Sequence, residues 1–360
     1  MKRGISIIML MASVLVGTAQ KTIKAVDGAS VKVKSLDKRI NFLMDSINMP
    51  GLSLAIINDQ KIVYHNVFGV QNIEMKEAVN KASIFEGASL SKPIFAYFAM
   101  KMVEKGILDL DKPIHDYLPH PAIDSASQTW YKTITPRMVL SHSTGFPNHA
   151  KGQIINVAFE PGTDFSYSGE AYQYLCAIIG IQNGVQWKDK FNAIFEEEVT
   201  VPLGMQNTSF LWNDHLAANK VYGHSNGKPT DNGLGGWSGK TFNSFSSIHS
   251  EASEYALFIQ AMLKREGLSD ESFDEMLATQ NRFNADNEMM EETGQTGWGL
   301  GFAQKPSANG MMHLHTGNNH DFQSYAMFIP DTGYGIVLFT NSGTLLPFVG
   351  GLEEILGEQF

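Results

Sequence analysis

The sequence predicts an α+β fold: one antiparallel sheet built from both ends of the chain, flanked by helices, with a mainly helical lobe inserted between its halves. Three observations carry this. β-rich apolar runs lie near the start, at Leu52–Ile57 and Ile62–Phe68. Similar runs recur near the end, at Met312–Thr316, Ser324–Ile329 and Tyr334–Thr340. Between about Leu108 and Gly239 the texture changes to short helical runs separated by Pro, Asn, His and Gly turns. The simplest packing closes one sheet from the two ends and leaves the middle as a second lobe. The expected lobes are therefore an α/β unit of residues 36–107 and 240–360, and an inserted helical unit of residues 108–239.

The elements follow in order. Residues 1–19 read as a secretory signal peptide: Lys2 and Arg3 precede the apolar stretch Ile5–Val16, and Gly17, Thr18 and Ala19 give a small-x-small cleavage pattern. The apolar stretch is short for a membrane span, so a periplasmic or secreted protein with no stable membrane span after cleavage is expected. The polar stretch to about Ser35 reads as a loose leader. Leu36, Ile40, Leu43, Met44 and Ile47 recur at helical spacing, and Pro50-Gly51 stops that helix. Leu52–Ile57 and Ile62–Phe68 form a hairpin across Asn58-Asp59-Gln60. Phe95–Lys105 is helical by pattern and ends at Gly106. Helices are expected at Pro136–Ser141, Glu170–Gln182, Lys188–Val199 and Glu251–Lys264. The last two β runs are joined by the turn Pro330-Asp331-Thr332-Gly333, and Pro347–Phe360 reads as a closing helix.

Composition narrows the function classes. An apolar fraction of 43% with 18% charged residues suits a globular chain. The net charge of −10 supplies no excess of cations to displace counterions, which argues against a nucleic-acid partner. Cys176 is the only cysteine, so the chain holds no internal disulfide and no cysteine-based zinc site. It lies in the apolar helix-like run Tyr172–Gly180 and reads as a buried core thiol.

The candidate chemistry centres on Ser89-Leu90-Ser91-Lys92, a Ser-x-x-Lys motif. Residues three apart on a helix share a face, which brings the lysine to the serine hydroxyl. Pro93 is tolerated only in a first helical turn, so a helix must begin near Ser89 and present free N–H groups there. Two further copies, Ser35-Leu36-Asp37-Lys38 and Ser225-Asn226-Gly227-Lys228, lack the following apolar helix that would hold the serine rigidly. The rival elbow pattern Gly-x-Ser-x-Gly fails, because Ser91 occupies its last position. His313, His315, His320 and Asp321 could in principle hold a metal, but no partner motif accompanies them, and no metal or other cofactor is expected. His65, His142 and His249 read as structural, with hydrogen bonds to backbone. Trp212, Tyr222, Trp237 and Trp298 read as packing, with a cleft wall as the alternative.

Phe85-Glu86-Gly87-Ala88-Ser89-Leu90-Ser91-Lys92-Pro93 resembles the nucleophile segment of class C β-lactamases and their relatives, the penicillin-binding DD-peptidases and β-lactamase-like esterases. Leu140-Ser141-His142-Ser143-Thr144-Gly145, Pro161–Ser168 with its tyrosine, Pro202-Leu203-Gly204-Met205 and His315-Thr316-Gly317 match further segments of that family in order. The resemblance implies the β-lactamase/transpeptidase-like version of the predicted fold. It implies Ser89 as nucleophile, with Lys92 and Tyr167 removing its proton and the lysine cation keeping the phenol's pKa low. It further implies an oxyanion hole from the backbone N–H groups of Ser89 and Asn318, and His315-Thr316-Gly317 as the edge strand beside the substrate. Where the family commonly has Tyr-x-Asn, this chain has Tyr167-Ser168-Gly169, and where many members have Lys it has His315. Both departures weaken recognition of an amide and of a substrate carboxylate. The expected activity is acyl-enzyme hydrolysis of a small-molecule ester, β-lactam or D-amino-acid peptide, with the ester slightly favoured. The alternative is an inactive penicillin-recognising or glycan-binding module of the same fold.

Overall fold

The computed structural model describes residues 21–185, 189–230 and 239–360, so the leader 1–19 and Trp237 lie outside the described residues. Thr22–Lys24 (β1) and Ser30–Lys32 (β2) pair as a short hairpin that runs straight into Val33–Ile47 (α1). This corrects the reading of the stretch before Ser35 as a loose leader. Ile23, Val26 and Val31 are buried, and Val26 N–H donates to Leu356 O at 2.9 Å. Three apolar residues spread over nine positions leave no readable period, yet they suffice to pin the hairpin. α1 buries Leu36, Ile40, Leu43 and Met44 on one face and ends at Asn48, whose φ of 54° breaks the helix.

Gly51–Asn58 (β3) and Lys61–Asn72 (β4) pair with Asn58 opposite Lys61. Asp59 and Gln60 therefore form a two-residue turn, and their φ values of 49° and 61° are those of a type I′ hairpin. Glu77–Ala78 (β5) extends the edge, and Phe85–Ala88 (β6) leads through a turn into Ser91–Glu104 (α2). The middle of the chain contributes short helices, including Gln128–Tyr131 and Pro136–Leu140, and the long Gly169–Gln182 (α3). Ile248–Ser250 (β7) pairs with β6 in a small separate sheet and precedes Ala252–Lys264 (α4). The strands Asn281–Arg282 (β8), Gly297–Trp298 (β9), Ala303–Ser307 (β10), Gly310–Asn318 (β11), Gln323–Ile329 (β12) and Tyr334–Thr340 (β13) follow, then Leu345–Leu356 (α5). The closing helix is thus shorter than predicted. It stops at Gly357, where φ is 77°.

The main sheet runs β8-β9-β10-β11-β12-β13-β3-β4-β5, and its pairings are antiparallel. The two ends of the chain meet where β13 pairs with β3. Both faces are covered: Leu52, Leu54 and Ile56 of β3 pack towards α1 and α5, while Ala55 and Ile57 pack in the core of α2 and α4. Period-two alternation sends successive residues to opposite faces, and each fully buried Leu or Ile contributes about 1.5–3 kcal/mol. α2 is buried from Ser91 to Met100, an all-round burial that marks a central helix of the core. Among the described residues no helix is long and apolar enough to cross a membrane.

Candidate active site

Ser89 occupies the turn between β6 and α2. Ala88, just before it, has a φ of 47°, a left-handed conformation that costs a non-glycine residue about 1–3 kcal/mol. Four hydrogen bonds hold this turn. Leu90 N–H donates to Gly87 O at 2.9 Å, and Lys92 N–H donates to Ser89 O at 3.0 Å. The Ser91 hydroxyl donates to Ala88 O at 2.7 Å, and the Ser324 hydroxyl donates to Gly87 O at 2.7 Å. Ser91 also accepts from Ile248 N–H at 3.0 Å, tying the turn to β7. Ser91 and Ser324 were not singled out from the sequence; the first is hidden inside the motif as its third residue. The helix starts at Ser91, so Pro93 falls in its first turn. Ser35, Lys38, Ser225 and Lys228, from the other two motif copies, are exposed.

Lys92 is 1% exposed. Its Nζ donates to Ser89 Oγ at 3.2 Å and to Phe245 O at 3.0 Å, and lies 4.4 Å from the centre of the Tyr167 ring. Burial pushes the Lys92 ammonium well below its ordinary pKa. Burial pushes the Tyr167 phenol up, and a hydrogen bond with Ser89 only partly opposes it. The expectation that a lysine cation lowers the phenol's pKa is corrected here. Desolvation dominates at both groups, and it moves the two pKa values in opposite directions.

His142 forms the floor beneath Tyr167. Its φ is 57°, its carbonyl accepts from Ser166 N–H at 2.8 Å, and its Nδ1 accepts from Ser168 N–H at 3.0 Å. The segment that carries Tyr167 is thereby wrapped around the histidine. The two rings lie 4.4 Å apart, and Trp298 stands edge-on to both. Burial holds His142 well below its usual pKa, so the ring is a neutral packing surface. The sequence reading anticipated backbone hydrogen bonds for His142 but not its place under the tyrosine.

The end of β11 closes the site. A Cβ on Gly317 would fall 2.3 Å from Gly87 O and 2.2 Å from Ser324 Oγ, so only glycine lets this strand approach the Ser89 turn. Asn319 Nδ2 donates to Glu86 Oε2 at 2.7 Å, and Glu86 Oε1 pairs with the buried Lys220 at 3.0 Å. Asn319 N–H donates to Phe322 O at 2.9 Å. The last pairing of β11 with β10 is Leu314 opposite Ala303, so His315–Asn318 continue paired in the sheet on the β12 side alone. Thr316 is half-buried and Asn318 exposed on this strand. His315 is buried, and its Nδ1 lies 2.7 Å from Thr316 O. Burial, helped by Lys92, pushes its pKa down to about 3, so it carries no charge near neutrality.

Gly169 opens α3, and its N–H donates to Asn148 Oδ1 at 2.9 Å. A Cβ there would meet the Phe245 ring at 2.7 Å. Phe245, whose carbonyl holds Lys92, thus fills the space beside position 169 with an apolar ring. Phe245 lies in an irregular loop with no motif signal, and the sequence reading missed it.

The remaining candidates separate cleanly. His313 stacks on Phe328 at 5.2 Å, and no group of three or more His, Cys, Asp or Glu side chains is placed to hold a metal among the described residues. His249 Nδ1 bonds Ser247 O at 2.9 Å. His65 departs from the expected backbone bonding: its Nε2 lies 3.1 Å from Glu251 Oε2. Cys176 is buried and burial raises its pKa. Trp212 packs edge-on to His249, whereas Trp298 reaches Tyr167 and His315.

The family model described as Beta-lactamase matches residues 36–355. Protein flp of Staphylococcus aureus is 23% identical over 355 residues, covering 91% of this chain, which spans 66% of the length of that relative. Penicillin-binding protein 4* of Bacillus subtilis is 26% identical over 182 residues, or 44% of this chain and 38% of that one. Two solved structures share the fold. The octameric penicillin-binding protein homologue from Pyrococcus abyssi has a TM-score of 0.75 at 20% identity, covering 90% of this chain and 76% of its own. D-alanine carboxypeptidase AmpC from Burkholderia cenocepacia has a TM-score of 0.73 at 21% identity, covering 90% and 98%.

Proposed function

The chain belongs to the beta-lactamase family, and on that footing we propose that it is a serine hydrolase that cleaves an ester or amide through a Ser89 acyl-enzyme, with esters preferred. The single observation that carries the reading is a desolvated Lys92 amine 3.2 Å from Ser89 Oγ, at a turn held between β6 and α2. The neutral amine takes the Ser89 proton as Oγ attacks the substrate carbonyl. The N–H groups of Ser89 and Asn318 receive the oxyanion. As the bond to the leaving group breaks, the Tyr167 phenol protonates the departing atom and recovers a proton from Lys92. Water then attacks the acyl carbonyl and gives up its proton through Tyr167 to Lys92, and the acyl–Oγ bond breaks as Lys92 returns a proton to Ser89, releasing the acid. No metal or other cofactor takes part in this scheme.

Ester preference rests on two features. His315 is neutral where a cation would attract a carboxylate, and the Phe245 ring fills the place beside Gly169 where an amide-anchoring side chain would sit. Loss of one hydrogen bond to a charged group is worth about 1.5–3 kcal/mol, or roughly ten- to a hundredfold in affinity. The test compares kcat/KM for a short-chain p-nitrophenyl ester and a cephalosporin. The ester is expected to be turned over faster, and faster cephalosporin hydrolysis overturns the preference. Export to the periplasm or medium is part of the same proposal, supported by Lys2, Arg3 and the apolar stretch that follows them.

A further inference from the structure

Lys92 Nζ donates to Ser89 Oγ at 3.2 Å and to Phe245 O at 3.0 Å, so the loop that carries Phe245 helps decide where the amine sits. The titratable groups around the amine are Tyr167 and Tyr172, whose rings it faces, with His142, His149 and His315, whose pKa values its charge lowers. One side chain of α3 fastens the loop. Ser244 N–H donates to Gln173 Oε1 at 3.0 Å, its hydroxyl donates to the same oxygen at 3.3 Å, and Gln173 Nε2 donates to Phe242 O at 3.1 Å. Both ends of the glutamine are therefore assigned by their partners. Phe245 N–H in turn donates to Asn243 Oδ1 at 3.1 Å, which ties Phe245 to the residues that Gln173 holds.

Gln173 follows Gly169 by four residues, so the two share a face of α3. Gly169 leaves room for the Phe245 ring, and Gln173 holds residues just before it. Phe242 and Ser244 are fully buried, and water does not replace a lost partner there. We propose that Gln173 is a positioning residue for Lys92: by holding Phe242 and Ser244 it sets Phe245 O against Nζ, and so fixes the place and the charge balance of the amine that meets Ser89. The carbonyl favours the charged amine and burial disfavours it, so the amine's titration records whether the loop is held. The catalytic consequence rests on the reading of Lys92 as the base that takes the Ser89 proton.

The test is Gln173→Met, which keeps the length of the side chain and deletes both polar ends. In protein carrying isotope-labelled lysine, the Lys92 Cε signal is the NMR signal missing from Lys92→Met, and its titration gives the midpoint of the amine without turnover. Release of Phe245 O is expected to move that midpoint about one pH unit or more lower, roughly a tenfold change in the protonation equilibrium. With it kcat is expected to fall about tenfold or more, with KM within about twofold. Gln173→Glu keeps an acceptor for Ser244 and adds a charge that favours the ammonium, so its midpoint is expected at or above the native one. A midpoint that stays or rises in Gln173→Met, or falls in Gln173→Glu, overturns the inference, even where Tm drops. The kcat/KM profile is read alongside. An inflection that follows the midpoint supports both the inference and Lys92 as the base. A midpoint that moves while kcat and the inflection stay overturns Lys92 as the base and leaves Gln173 as its positioning residue.

Discussion

Asn319 Nδ2 donates to Glu86 Oε2 at 2.7 Å, which fastens the end of β11 to the strand that delivers Ser89. The two halves of the proposed oxyanion hole, Ser89 and Asn318, are each close in sequence to one partner of this bond. Asn319→Ala leaves the Glu86–Lys220 pair in place and frees only the strand end. It is expected to lower kcat by about ten- to a hundredfold, the scale of a small misplacement of catalytic groups, with KM and Tm nearly unchanged. Steady-state kinetics and a thermal melt check this, and an unchanged kcat would show that the strand is held by the sheet alone.

The opposite shifts of Lys92 and Tyr167 fix the expected pH dependence. Burial lowers the Lys92 pKa, and the mechanism needs the neutral amine. Activity is therefore present above that lowered pKa and lost as pH falls through it. The inflection in kcat/KM should lie well below the usual lysine range. Tyr167→Phe should cut turnover by about two orders of magnitude or more while keeping the inflection, since Lys92 remains. An inflection that vanishes with the phenol would make Tyr167 the base.

Position 169 is expected to resist restoration of the missing asparagine. In Gly169→Asn the new Cβ meets the Phe245 ring at 2.7 Å, and Phe245 O is a partner of Lys92. The substitution should therefore reduce ester turnover and lower Tm, and the added change Phe245→Ala should recover part of the stability. A cephalosporin assay on the double variant shows whether amide hydrolysis rises once the ring is gone.

Four buried histidines make the fold acid-sensitive, and His142 is one of them. Burial lowers His249 and His313 to about 4 and His315 to about 3. Their folded pKa values lie below the unfolded value of about 6.5. The unfolded chain then binds more protons between those limits, so stability is complete above about pH 6.5 and falls as pH drops towards 4. Tm is expected to fall by roughly 5 °C or more between pH 7.5 and pH 5. His313→Phe, which keeps a ring on Phe328, should flatten part of that slope.

Much of the architecture was legible because burial leaves a period. Leu36, Ile40, Leu43 and Met44 spell out α1, and Leu52–Ile57 spells out β3. The hairpin β1–β2 and the strand β6 were missed because three or four residues carry no period of their own. At the site, Ser89, Lys92, Tyr167 and the strand His315–Asn318 could be nominated from motif order. Glu86, His142, Phe245 and Ser324 act through long-range contacts, as Ser91 does through Ile248, and no local spacing reveals which of them meets the serine turn. The protonation states were beyond reach for the same reason: desolvation of Lys92 and His315 depends on what the fold packs around them.

The central claim is that Ser89, and no other serine, is the nucleophile. The direct measurement is covalent labelling by a fluorophosphonate probe, read as a mass shift on the intact protein and mapped by peptide. Native protein, Ser35→Ala and Ser225→Ala are expected to take one equivalent, and Ser89→Ala none. Labelling that survives Ser89→Ala, or maps to another residue, contradicts the account.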